Sequence, residues 1–176
     1  MRNTWLKLTD ARLRASLAAL EAGGRAAGDM AAAPELAAGL MRPARAQLSA
    51  AIRSGPRASL EAAYAAEDFS ARLEKVFSDM ALLSLRPDAA ALEALGHLQR
   101  ACEAAGGLLS PSARNRAAGL IRAHCASGRR GLALASASEA GEGPDFPRKL
   151  KFSSIYSGLD ETLDALERCA EALFRI

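Results

Sequence analysis

Ile155-Tyr156-Ser157-Gly158-Leu159-Asp160-Glu161-Thr162-Leu163-Asp164-Ala165-Leu166-Glu167 decides the fold class. An α-helix turns about 100° per residue. On that wheel Ile155, Leu159, Leu163, Leu166, Ala170 and Leu173 form one apolar stripe. Asp160, Asp164, Glu167 and Glu171 form a second stripe beside it. The spacing predicts an amphipathic helix whose carboxylates line the shoulder of a buried seam. Like charges at these spacings cost about 0.2–0.5 kcal/mol per pair. No lysine or arginine of the same helix falls inside the acidic stripe. Three readings follow: a solvated acidic face, neutralisation by basic side chains of a neighbouring helix or partner, or a hard cation. Carboxylate oxygens suit iron, manganese, magnesium or calcium.

Outward from this helix, composition says the same of the whole chain. Hydrophobic residues make up 50% of the 176, but aromatics only 5%. Alanine and leucine supply the difference, and both favour helices, whereas the sheet-forming β-branched and aromatic types are scarce. One all-α domain, an elongated antiparallel bundle of about six helices spanning residues 1–176, is expected. Twenty-three basic against 20 acidic residues, with no basic stripe carrying interleaved aromatics, give no nucleic-acid signature. Cys102, Cys125 and Cys169 are odd in number and far apart, and read as buried apolar groups in a reducing compartment. No run reaches the ~18 apolar residues of a membrane span. The first residues lack the apolar region and cleavage site of a leader. A cytoplasmic location is expected, with peripheral membrane contact through Arg148, Lys149 and Lys151 left open.

The element boundaries expected from punctuation are these. A first helix begins near Thr4 and stops at Gly23-Gly24. A second opens at Pro34 and is kinked or ended at Pro43. Ser54-Gly55-Pro56 is a turn before a third helix, about Arg57 to Leu83, with Tyr64, Val76 and Met80 among its apolar positions. Arg86-Pro87-Asp88 breaks the pattern. Leu92, Leu95, Leu98, Cys102 and Ala105 then form a stripe ending at Gly106-Gly107. Ser110 caps a fifth helix that carries Leu120 and Ile121 and weakens at Ser127-Gly128. Ser136 to Pro147 is a loop, and the last helix starts at Leu150 or Ser153.

No catalytic constellation is expected. His97 lies five residues from Cys102, and His124 and Cys125 are adjacent, both poor spacings for zinc. No nucleophile motif accompanies the serines. No E-x-x-H spacing is present for a carboxylate-metal enzyme in a bundle.

Lys149-Leu150-Lys151-Phe152-Ser153-Ser154-Ile155-Tyr156, followed by Leu159-Asp160-Glu161-x-x-Asp164-x-x-Glu167-x-x-Ala170, resembles the C-terminal helix of PhoU-like proteins. The likeness is to the branch that accompanies Pit-type inorganic phosphate transporters. It implies two three-helix repeats, drawn here at about 1–107 and 108–176. It implies a non-enzymatic accessory or regulatory protein of phosphate transport, working through contact with the transporter or its regulators. It also implies metal ligands at Asp160, Asp164 and Glu167, with iron, manganese or magnesium as the ion. A homodimer is an open alternative to a monomer. The chain departs from the family pattern elsewhere. Gly96 and Arg100 stand where aspartates belong, with Glu103 the acid nearby. His124, Cys125, Gly128 and Arg129 replace another acidic motif. Glu67 and Asp68 remain, but Tyr64 occupies an acid's place. Arg100 and Arg129 suggest that guanidinium groups have replaced the cation. The alternative function is a metal-free helical adaptor unrelated to phosphate.

Overall fold

The computed structural model describes residues 10–30, 34–54, 59–139 and 146–176. Among them are six α-helices and no strand. They are α1 (Ala11–Asp29), α2 (Pro34–Ser54), α3 (Leu60–Leu82), α4 (Ala89–Ala105), α5 (Arg114–Glu139) and α6 (Phe146–Phe174). A 3₁₀ turn, Gly106–Leu109, leads from α4 towards α5. The all-α class expected from composition is what the chain adopts.

Helices α1, α2 and α3 pack on one another, and so do α4, α5 and α6. The trios meet through α1 against α4 and α3 against α6, so four helices form a ring with α2 and α5 outside it. Residues 83–88 connect the trios, and the repeat boundary drawn near residue 107 lies between the first two helices of the second trio. The core is mostly alanine and leucine, with Phe69, Phe77 and Met80 fully buried. Small side chains let helix axes approach closely, which is why so few aromatics suffice.

Local chemistry sets the ends. Asp10 accepts from the amides of Arg12 (2.9 Å) and Leu13 (3.4 Å), capping α1. Asp88 accepts from Ala91 N (2.9 Å) and caps α4. At the end of α3, Ser84 takes φ +50°, with its amide on Ala81 O and that of Leu85 on Met80 O. This is a Schellman stop built on a residue that is not glycine. Arg12 is buried and crosses to α2, where its guanidinium donates to the carbonyls of Ala51 (3.0 Å) and Ile52 (2.5 Å). A cation thus closes the negative end of that helix.

Several expected boundaries are corrected. Gly23-Gly24 does not stop α1. A Cβ on Gly23 would sit 2.7 Å from the Phe69 ring, and one on Gly24 2.9 Å from Cys102 Cβ. These glycines are contact points with α3 and α4. Pro43 does not end α2; it lies inside the helix on an exposed face, where a carbonyl deprived of its amide donor is open to solvent. Gly128 lies inside α5, where a Cβ would stand 2.9 Å from Leu163. Helix α5 continues through Ser136, and α6 begins at Phe146 with Pro147 in its first turn. Ser110 starts the turn into α5 through its carbonyl, which accepts from Ala113 and Arg114; its hydroxyl lies 3.1 Å from that of Ser112. Tyr64, Leu92 and Leu120 are exposed rather than buried. The expected start near Thr4, most of the Gly55-Pro56 turn and the middle of the last loop lie outside the described residues.

Candidate functional site

Helix α6 turns Ile155, Leu159, Leu163 and Leu166 into the core. Its carboxylates then lie between α3 on one side and α5 on the other. There they enter an alternating chain of acids and guanidinium groups. Arg129 of α5 donates to Glu167 (2.5 Å) and Asp164 (3.4 Å). Arg168 of α6 pairs with Asp164 and reaches Asp68 of α3 (3.0 Å). Arg72 of α3 holds both oxygens of Asp68 (3.0 Å each) and donates to Glu161 (2.6 Å). Four carboxylates and three guanidinium groups leave one formal negative charge. The guanidinium of Arg72 is held further towards its charged form, first by its hydrogen bond to Asp68 and then by the charges of Asp68, Glu161 and Asp164.

Two expectations for α6 change. The helix does supply its own cation, because Arg168 sits one turn beyond Asp164. Asp160 is exposed and has no hydrogen bond or ion pair among the described residues. Asp164 and Glu167 are brought together, but by Arg129 rather than by an open oxygen cage. The most sheltered member is Glu167, 21% exposed. Among the described residues, no group of three or more His, Cys, Asp or Glu is arranged to hold a metal ion. Asp164 and Glu167 as they stand offer no open oxygen cage to iron, manganese or magnesium, because Arg129 occupies the space between them, and Asp160 lies outside that space.

The other positions singled out in the sequence scatter. Glu67 accepts from Ser49 (3.0 Å) and Glu103 from Gln99 (3.0 Å). Arg100 is exposed and makes no ion pair among the described residues. Arg129, not Arg100, is the arginine that meets the acids. Arg148, Lys149 and Lys151 lie inside the first two turns of α6, with Arg148 stacked 5.6 Å from the Phe152 ring.

Comparisons with family models, with curated proteins and with solved structures find no match.

Two contacts escaped sequence reasoning. Tyr156, the second half of the Ile-Tyr pair, is buried and donates its hydroxyl to Asp88, the cap of α4. It ties the acidic helix to the start of the second trio. His97 of α4 and His124 of α5 bring their Nδ1 atoms within 3.2 Å, although 27 residues separate them. Only the register of α4 against α5 creates that pair, so spacing along the chain carried no signal for it. The three cysteines are buried and free, and burial pushes the thiols of Cys125 and Cys169 up to about 12 and that of Cys102 well up. They are unreactive core groups, as their spacing suggested. No helix among the described residues is long and apolar enough to cross a membrane.

Proposed function

We propose that this protein is a non-enzymatic, PhoU-like accessory protein of inorganic phosphate transport, in which guanidinium groups do the work of the family's metal. The observation that carries the reading is Arg129 seated between Asp164 and Glu167, the motif on which the resemblance rests. A cation that cannot dissociate removes the carboxylate repulsion and locks α6 to α5. The packing of two helix trios is the arrangement that the resemblance implies and supports the same reading. Contact with the transporter, or with the cytoplasmic membrane face beside it, falls to the start of α6. There Phe146 and Leu150 are exposed one turn apart among Arg148, Lys149 and Lys151.

The test pairs the chain with a Pit-type permease in cells lacking other phosphate uptake. Radiolabelled phosphate entry should change at least about twofold when Arg148, Lys149 and Lys151 are all reversed to glutamate, with the protein still folded. Uptake indifferent to both that variant and deletion of the whole chain would rule the reading out. The second reading, a helical adaptor with no tie to phosphate, is favoured by the same filled motif, since a metal-free chain has lost the family's hallmark. Copurification of a partner that is not a permease component, from cells with normal phosphate uptake, would select it.

A further inference from the structure

The two histidines sit on neighbouring helices, half-buried, in a notch that the small residue Gly128 opens. A Cβ added there would lie 3.4 Å from that of His97. Their Nδ1 atoms are 3.2 Å apart, with ring centroids 5.5 Å apart and planes tilted by 43°. Two imidazole nitrogens on one tetrahedral zinc ion, each bonded at about 2.0–2.1 Å, are separated by roughly 3.3–3.4 Å. The observed spacing is within a few tenths of an ångström of that. On the far side of the His97 ring, Glu93 Oε1 lies 4.0 Å from Nε2. That distance is too long for a hydrogen bond, so Glu93 adds a nearby negative charge rather than a fixed partner. Burial, the Arg100 charge and His124 hold His97 below its ordinary range, against an opposing pull from Glu93.

We propose that His97 and His124 form a two-imidazole site for a divalent transition ion of the zinc, copper or nickel class, completed by water. Imidazole selects these ions over magnesium or calcium. Each helix contributes one ligand, so an ion there would staple α4 to α5. The site shares no residue with the carboxylate–guanidinium chain, and the inference stands or falls independently of any role in phosphate transport.

Calorimetry with Zn²⁺ on the full chain at neutral pH tests it. One ion per chain is expected, with no comparable binding of Mg²⁺. His97→Gln or His124→Gln should each weaken binding more than about tenfold. Cys125→Ala should leave it unchanged. Affinity should fall on acidification, because protons compete with the ion for imidazole nitrogen. Should either histidine variant fail to fold, Cu²⁺ bound to the unaltered protein gives a second measurement. Its paramagnetic resonance should carry hyperfine coupling to two imidazole nitrogens. No Zn²⁺ binding tighter than millimolar, equal binding by the folded double variant, or coupling to fewer than two imidazoles would overturn the assignment.

Discussion

Replacing Arg129 with methionine removes the cation shared by Asp164 and Glu167 while keeping much of the aliphatic stem that packs beside α6. The cost can be assembled from the geometry. The 2.5 Å contact to Glu167 is the most sheltered link, so it belongs at the top of the exposed-pair range, about 1 kcal/mol. The 3.4 Å contact to Asp164, which is half exposed and already paired with Arg168, adds about 0.2 kcal/mol. The unscreened repulsion between the two acids, three residues apart on one helix, adds about 0.3 kcal/mol. Together these give about 1.5 kcal/mol. In a chain of this size, where 1 kcal/mol moves Tm by about 2–4 °C, the expected fall is about 5 °C. Calorimetric melts of Arg129→Met, Glu167→Gln and the double variant supply the assay. The cycle should return a coupling of about 1 kcal/mol, because Arg129→Met costs little once Glu167 is neutral. High salt should narrow the gap between wild type and Arg129→Met, since at molar ionic strength screening acts over about 3 Å. A variant as stable as wild type, or a coupling indistinguishable from zero, would refute the view that Arg129 neutralises the acidic motif.

Gly24→Ala places a methyl 2.9 Å from Cys102 Cβ, which cannot swing away. Overpacking of about 1–3 kcal/mol should outweigh the ~1 kcal/mol gained in helix propensity, lowering the urea midpoint. Gly119→Ala in α5 meets nothing within 4 Å and should raise that midpoint by the equivalent of about 0.5–1 kcal/mol. Ser84→Gly relieves a left-handed backbone at the end of α3 and should stabilise by about 0.5 kcal/mol, read from the same denaturation curves. Cys125 and Cys169 keep their protons to about 12 in the folded chain, against 9.0 for a free thiol. Above pH 9 the unfolded chain therefore releases protons that the native state retains, and stability should fall as pH rises. Cys169→Ala should flatten that alkaline slope; an unchanged slope would show that other groups produce it.

The fold was legible because the signal that decides it is redundant. Every segment repeats the helical period, and the α6 stripe from Ile155 to Leu173 is buried along its whole length. Punctuation was less readable, because one residue type serves two purposes. Glycine ends helices, and it also lets two helices touch. Gly106 follows the last residue of α4, whereas Gly23, Gly24 and Gly128 lie mid-helix against Phe69, Cys102 and Leu163. Nothing local separates these cases, since the difference lies in what stands opposite, on a helix tens of residues away.

The candidate site divides along the same line. Spacing along α6 left a solvated acidic face, a basic neighbour and a hard cation all open, and Arg129 was named as a source of charge only through the family resemblance. What could not be read was the partition: Asp160 facing out, Asp164 and Glu167 sharing Arg129, and Arg168 turning back to bridge α6 to α3. Repulsion along one helix is a local quantity, fixed by a rise of about 1.5 Å per residue. Its relief depends on the register of three helices, which side-chain volumes set at Gly128 and Gly158, where added methyls would meet Leu163 and Val76. The registers of α5 against α6 and of α5 against α4 meet at one residue. Gly128 lies one position before Arg129 and four after His124, and both Leu163 and His97 crowd it. A substitution there should therefore disturb the ion-pair chain and the histidine pair together. Gly128→Ala is expected to lower thermal stability by roughly 1–2 kcal/mol, the overpacking cost less the helix-propensity gain. It should also weaken Zn²⁺ binding in the same preparation. A variant that loses stability while binding the ion unchanged would show the two features to be independent.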